Sequence, residues 1–491
     1  MRRIPSLILV GVCFASFSQA GQTSAPATSE TRRSLQHGIL LLEQKRYEEA
    51  RREFARVTEG HPASAEAFFY LGMAEAKLGH LLQSEKSLRH SLELNPRSVN
   101  SLYNLAVLWL EQKRTREAIP YLERASQLGL QDPEVAVNLI RAYLDDGQKE
   151  RALQLAESAG RGFANAPEFH LALGKCFLSH NLLPPARASL ERANRLMPSQ
   201  PEIVLPLADA LVRQNDPAAA RKVLGNIAGK AQDMAAYHYL LAQSHFLSGQ
   251  KEPALQEMNQ AIRLDAKNPV YPLTLGRYYQ KYEDQKKALS ALEDAARLDA
   301  HLAEVPYSIA VSYSMNGDFD AARKYLDQAL QMNPSFDRAM FLLATLRLSE
   351  GKFDESEKLL GQAVKLQPQN PYYQCFYGML LVSENRLPEA LERFQKTLAL
   401  DASYALAHYQ LGRLLARTGK PEEARQELEK ALSLQPDLSE AYYVLSRTYY
   451  KLGDKEKGDK ALAIFRSFRA AEYTERQEIL RQMQKAVQGP Q

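Results

Sequence analysis

The sequence predicts an all-α protein built as a linear array of helical hairpins. Three observations predict it. Similar residues return every 34 positions along nearly the whole chain. Small residues recur at two fixed places in each period. Glycine, asparagine and proline recur where helices have to stop. A repeat of this length marks stacked supersecondary units rather than separate globular domains.

Composition sets the outer limits. Of 491 residues, 45% are hydrophobic and 24% charged, with 62 Lys+Arg against 58 Asp+Glu and a net charge of +4. The apolar share excludes wholesale disorder. The mean hydropathy of −0.40 excludes a multi-span membrane protein. The near-neutral balance gives no argument for nucleic acid. The three cysteines, Cys13, Cys176 and Cys375, cannot make a disulfide framework. Tyr (24) and Phe (17) are abundant beside a single tryptophan, Trp109.

Residues 1–20 read as a secretory signal peptide. Met1-Arg2-Arg3 is a positive start, Ile4 to Phe17 is mostly apolar, and Ser18-Gln19-Ala20 offers small residues before a cut at Gly21. A lipoprotein signal would use Cys13, but Val12 stands before it where a small residue is expected. The general secretory route is therefore expected, with the mature protein in the periplasm or secreted. Residues 21–30, rich in Ser, Thr, Ala and Pro, read as a disordered linker. The two cysteines left in the mature chain read as small buried hydrophobes.

The repeat occupies residues 31–471 as thirteen units, starting at 31, 65, 99, 133, 167, 201, 235, 269, 303, 337, 371, 405 and 439. Position 8 is small in every unit except the fourth, where it is Ile140. Position 20 is small throughout, from Ala50 to Gly458. Position 24 is large and apolar except at Ala156. Apolar positions 4, 7, 8 and 11 share one face of a first helix, and positions 20, 24 and 27 share one face of a second. The small residues let the two backbones approach. Position 15 is often Gly or Asn, as at Gly147, Asn181, Gly249 and Asn385, which suits the left-handed residue that ends a helix. Pro62, Pro96, Pro198, Pro334, Pro368 and Pro436 at position 32 stop the second helix. One such hairpin cannot bury its own apolar face and must stack on neighbours.

This pattern of small residues at 8 and 20, a large one at 24, Ala at 27 and Pro at 32 closely resembles the tetratricopeptide repeat (TPR), in an exported bacterial setting. The resemblance implies a right-handed superhelical solenoid of about thirteen 34-residue hairpins. Three departures carry expectations of their own. Ile140 should make the fourth unit splay or repack. Pro206 should kink its first helix, whereas Pro272 and Pro306 stand near helix starts where proline is tolerated. Residues 472–491 carry an apolar stripe (Tyr473, Ile479, Leu480, Met483, Val487) that resembles a capping helix with a short tail.

Catalytic chemistry leaves little trace. There is no Gly-x-Ser-x-Gly, His-Glu-x-x-His or Cys-x-x-Cys motif. The stretch Gly225 to Lys230 is one residue short of a phosphate loop and follows no strand. His170, His238 and His408 all occupy position 4, a packing position. No enzyme, cofactor or metal site is expected.

The resemblance implies that first helices line a concave groove, with positions 2, 5, 9 and 12 facing inward. Position 5 is aromatic at Phe69, Tyr103, Tyr239, Tyr307, Phe341, Tyr409 and Tyr443, and position 9 is basic at Arg141, Lys175, Arg277, Arg413 and Arg447. Tyr409 with Arg413, and Tyr443 with Arg447, repeat one i, i+4 pair in adjacent units. With Tyr239, Arg277, Tyr307 and Phe341 they form the expected partner-binding set, because Tyr and Arg anchor interfaces well. A plain packing role for position 5 is the competing expectation. The chaperone-binding clamp of some relatives needs Lys at 5 and Asn at 9, and no unit has either. The expectation is a non-catalytic scaffold of the cell envelope that binds a protein or extended peptide. A glycan-binding or polysaccharide-export accessory, with the ring ladder stacking on sugars, is the alternative, and a hydrolase a remote one.

Overall fold

The computed structural model describes residues 29–128 and 132–470, together with Arg481. The expected signal peptide, the linker up to residue 28 and, Arg481 aside, the expected capping helix lie outside the described residues. Those that are described form helices and connecting turns, without a strand. They divide into two compact bodies between Gln232 and Asp233.

The first body holds six hairpins. α1 (Ser29–Glu43) pairs with α2 (Tyr47–Gly60), and α3 (Ala65–Lys77) with α4 (Leu81–Leu94). α5 (Val99–Glu111) pairs with α6 (Thr115–Gln127), and α7 (Pro133–Asp145) with α8 (Lys149–Gly162). α9 (Pro167–Ser179) pairs with α10 (Leu183–Leu196), and α11 (Pro201–Arg213) with α12 (Pro217–Gly225), after which comes the short α13 (Ala228–Ala231).

The second body holds seven hairpins. α14 (Ala235–Leu247) pairs with α15 (Lys251–Leu264), α16 (Val270–Lys281) with α17 (Gln285–Leu298), and α18 (Glu304–Met315) with α19 (Phe319–Met332). α20 (Asp337–Ser349) pairs with α21 (Phe353–Leu366), and α22 (Pro371–Ser383) with α23 (Leu387–Leu400). α24 (Ala405–Arg417) pairs with α25 (Pro421–Leu434), and α26 (Ser439–Lys451) with α27 (Lys455–Ala470). Within each body every hairpin also packs on the next, which buries the apolar faces that a single hairpin leaves open.

One turn serves every hairpin. Position 15 has a positive φ in all thirteen, glycine or not: Lys45, Lys113, Asn181, Asn215, Glu283 and Asn385 adopt φ of 57–61° alongside seven glycines. The amide of the next residue then reaches back to the carbonyl at position 11, as in His80 N to Glu75 O at 2.9 Å and Asp318 N to Tyr313 O at 3.0 Å. This closes the end of the first helix and aims the chain into the second.

The crossing of the two helices explains positions 8 and 24. A Cβ placed on Gly174 would stand 2.5 Å from Leu190 Cγ and 3.3 Å from the Ala186 carbonyl. Gly38 meets Phe54 and Gly378 meets Phe394 in the same way. In the fourth hairpin the sizes are exchanged: Ile140 is fully buried on α7, and Ala156 is the small residue on α8. The two sequence exceptions thus fall in one hairpin, one on each of its helices.

Proline falls inside two of the helices without ending either. α11 runs continuously from 201 to 213 through Pro206, and α6 likewise contains Pro120. Pro272 and Pro306 fall in the first turns of α16 and α18, where the missing N–H has no helical partner anyway. The one second helix that breaks is in the sixth hairpin, between Gly225 and Ala228, at a Gly-Asn pair. The chain there returns Ile227 and Ala231 to the core.

Candidate functional site

First helices of successive hairpins lie side by side within each body, α14 meeting α16 through Tyr239 and Tyr271 and α18 meeting α20 through Tyr307 and Arg338. In the second body this contact is built around rings. Tyr239 on α14 meets Tyr271 on α16 at 5.1 Å between centroids. Tyr307 on α18 meets Phe336 just before α20 at 5.0 Å. Phe341 on α20 stacks on Tyr373 of α22 at 4.8 Å. Aromatic residues at position 5 thus press against the next repeat.

Burial follows from this contact and corrects part of the expected set. Tyr307 and Phe341 are each 1% exposed and Tyr409 is 3% exposed. Phe69 and Tyr103 in the first body are buried as well. These rings belong to the inter-repeat core and present no face to a partner, whether peptide or sugar. Tyr239 is half-buried, and its hydroxyl accepts from Gln243 Nε2 at 3.0 Å. Tyr443 is exposed and tilts against Phe465 of α27 at 5.1 Å.

The arginines fare differently. Arg413 lies over the Tyr409 ring at 5.6 Å, and Arg447 over Tyr443 at 5.9 Å. Both expected pairs therefore form as cation–π contacts one helical turn long. Arg447 is exposed and Arg413 half-buried. The surface these pairs offer is guanidinium, with a phenol behind it only at Tyr443.

Arg277 sits in a more enclosed place. From α16 its Nε donates to Ser308 Oγ on α18 at 3.3 Å, while its Nη2 is buried without an acceptor. Gln280, one turn along α16, donates to Ser308 O at 2.6 Å and to Ser312 Oγ at 2.8 Å. Arg338 arrives from the opposite side, on α20, and lays its guanidinium over the Tyr307 ring at 4.9 Å. Two cations thus converge on consecutive residues of α18. Burial lowers the Arg277 pKa, and the like charge of Arg338 lowers it further. The Tyr307 phenol is pushed up to about 12, chiefly by burial. The nearby carboxylate of Asp337 is engaged by the Tyr373 hydroxyl, which donates to it at 2.8 Å.

Sequence reasoning found Arg277 but missed Arg338, Ser308 and Gln280. A signal for Arg338 exists. It stands in the first turn of α20, at the positive end of the helix dipole, where a cation is unfavourable and most other units carry Glu or a neutral residue. Its pairing with Arg277 spans two repeats and has no signature in a single period.

The titratable pairs elsewhere are cross-helix links. His238 Nδ1 lies 2.6 Å from Glu257 and His408 Nδ1 2.6 Å from Glu427, each joining a first helix to its own second helix. His170 is buried, and burial lowers its pKa. Cys176 and Cys375 are both buried free thiols. Among the described residues no group of three metal-ligating side chains comes together, and no helix is long and apolar enough to cross a membrane.

The helical array, the left-handed turn at position 15 and the crossing of positions 8 and 24 define a helical-repeat protein, and sequence comparison says which. Tetratricopeptide-repeat profiles match residues 110–176, 183–244, 313–379 and 381–437 in one form. Two further forms match 35–81 and 73–133, and 235–268 and 439–463. The chain belongs to the tetratricopeptide repeat family. Among curated protein sequences none matches it. Solved structures similar to it include the APC/C hetero-tetramer Cut9-Hcn1, at 15% identity and a TM-score of 0.46, covering 94% of this chain and 97% of that one. A monomeric IFIT1 mutant with Gppp-AAAA is similar at 15% identity and a TM-score of 0.45, covering 75% of this chain and 90% of that one.

Proposed function

We propose that this protein is a non-catalytic scaffold of the cell envelope whose first-helix face binds a protein or an extended peptide. The observation that carries the reading is the repeated guanidinium face of the second body. Arg413 and Arg447 are held over tyrosines in adjacent hairpins, with the Tyr409 ring in the core and the Tyr443 ring exposed. Pre-positioned arginines on a rigid helical scaffold lose little entropy when they engage a partner. The export part of the reading rests on residues 1–20 alone.

The test is affinity capture from envelope extracts with the full mature chain as bait. Partners are expected to be recovered reproducibly and to be lost with Arg413→Ala combined with Arg447→Ala. Unchanged capture by that variant removes this patch from the reading. N-terminal sequencing of the exported protein is expected to start at Gly21. A start at Met1 or Arg2 in the cytosolic fraction removes the envelope assignment.

A further inference from the structure

We propose that the groove along α21 at Gly361 binds a short, neutral oligosaccharide. The site lies on a second helix, whereas the arginine pairs lie on first helices, so it goes beyond the scaffold reading and does not depend on it.

The first observation is the glycine. Gly361 stands in the middle of α21, where glycine is a poor helix former. A Cβ on it would meet nothing within 4 Å. Packing therefore does not call for glycine here, unlike Gly72 or Gly378, where a Cβ would collide with the second helix. Every other described glycine with free space at its Cβ stands in a turn, in the last turn of a helix or in the short α13. At the same position of the repeat, five other hairpins of the second body carry Asn259, Glu293, Asp327, Gln395 and Glu429. Gly361 removes that polar side chain from the row, and glycine is the residue that lets a ligand approach a backbone closely.

The second observation is the groove that results. It has a volume of about 470 Å³ and runs along α21 beside Tyr377 of α22. That is the size of a small-molecule site and far below a protein interface. Its Tyr377 side is fixed in place. The Tyr377 hydroxyl donates to Glu357 Oε1 at 3.3 Å, Arg386 of α23 donates to the same oxygen at 2.7 Å, and Arg393 lies over the Tyr377 ring at 4.6 Å. Asp354, Lys358, Gln362 and Lys365 line the rest from successive turns of α21. All four are exposed, and among the described residues none of them has an ion pair or a hydrogen bond.

The chemistry of this row selects the ligand. Along α21 it reads carboxylate, ammonium, amide, ammonium, so acceptors and donors are interleaved. Lys358 and Lys365 balance Asp354 and Glu357, which favours neither a polyanion nor a polycation. An apolar ligand would strip water from these groups and return no hydrogen bond. A sugar hydroxyl both donates and accepts, so a run of hydroxyls answers carboxylate and ammonium in turn, and bonds to charged groups are the stronger ones. The half-buried Tyr377 ring adds an apolar surface for the C–H groups of a sugar ring.

The experiment is a saturation-transfer NMR titration of the full mature chain with maltotriose, cellotriose, chitotriose and mannotriose. Trigalacturonate and trilysine are the charged controls. At least one neutral trisaccharide is expected to bind more tightly than both controls. Gly361→Gln puts a side chain into the groove and should weaken that binding by about tenfold or more. Its melting temperature should stay the same or rise, because a helix-interior glycine has been replaced, so the loss of binding is not a loss of folding. Lys358→Ala combined with Gln362→Ala should weaken binding by about threefold or more. Arg413→Ala combined with Arg447→Ala, on first helices, should leave it unchanged. The proposal is overturned if none of the four neutral trisaccharides binds, or if trigalacturonate or trilysine binds more tightly. It is overturned equally if Gly361→Gln binds the sugar as the wild type does. A melting temperature that falls in Gly361→Gln and in Gly361→Ala would give the glycine a packing role and remove the argument for the site. An envelope protein captured by the wild type and lost in Gly361→Gln, with no sugar bound, would make the groove a peptide site and overturn the assignment.

Discussion

Gly72 on α3 and Leu88 on α4 are in such close contact that a Cβ on the glycine would stand 2.8 Å from Leu88 Cγ. The helix pair crosses at this point, and the Ser84 carbonyl, 3.3 Å from the same Cβ, leaves no backbone slack. Gly72→Val is expected to destabilise the first body by about 2–3 kcal/mol, the usual cost of forcing methyl groups into a filled core. Urea denaturation followed by circular dichroism checks this. A loss below about 0.5 kcal/mol would mean the helices part easily there.

The fourth hairpin exchanges the two sizes, so it should respond in the opposite sense. Ile140→Ala opens a void against Ala156 and is expected to cost about 2–4 kcal/mol. Adding Ala156→Leu to that variant restores the arrangement of the other hairpins. The double variant should recover at least half of the loss, although Ala156→Leu alone is destabilising. Additive single effects in a double-mutant cycle would show that the two side chains do not share one space.

Lys113 and Glu283 occupy left-handed turn positions where seven other hairpins use glycine. A side chain pays about 1 kcal/mol in that conformation. Glu283→Gly and Lys113→Gly should therefore raise stability by about that amount, and Gly351→Ala lower it similarly. Melting temperatures of the three variants, read by calorimetry, test the pattern.

The pair His408 and Glu427 makes stability depend on pH in a defined direction. Burial opposes the charged imidazole, but the Glu427 bond and the Ala402 carbonyl outweigh it, and the His408 pKa is raised on balance. A raised pKa in the folded state stabilises fully below the unfolded value of about 6.5, and that stabilisation is lost as pH rises through the folded value. The difference in stability between wild type and His408→Gln should be larger at about pH 5.5 than at about pH 8.5. A difference that grows with pH would contradict the charged pair.

Trp109 reports on its own surroundings. Arg89 and Arg114 lie over its ring at 5.0 and 5.2 Å, and Glu85 binds both guanidiniums. Glu85→Ala leaves both cations without that partner, and is expected to cost about 1–3 kcal/mol. The loss should appear in denaturation followed by tryptophan fluorescence, since this residue is the sole source of that signal.

Much of the fold was legible in the periodicity because the determining contacts lie within one hairpin. Gly72 and Leu88 are 16 residues apart and recur in step, so thirteen copies display one physical rule. The turn at position 15 was legible from Gly147 or Asn181, but not from Lys45, Lys113 or Glu283. There the closing hydrogen bond and the packing of the hairpin override residue preference. Pro206 does not end α11, which runs through it among buried neighbours such as Leu207 and Ala208.

The candidate site was legible in part. Tyr409 with Arg413 and Tyr443 with Arg447 do form the expected pairs, since an i, i+4 relation is fixed by one helix. Whether a ring faces outward is decided by the repeat beside it, which covers Tyr307 and Phe341.

The amino-acid sequence alone determined the hairpins, their length, their turns and their membership of one repeat family. Each of these depends on contacts between residues fewer than 34 positions apart. Only the tertiary structure decided which aromatic residues are core, and that Arg277 and Arg338 converge on one turn of α18. Those outcomes depend on stacking between repeats, where burial and charge add across chain separations that a single period does not encode.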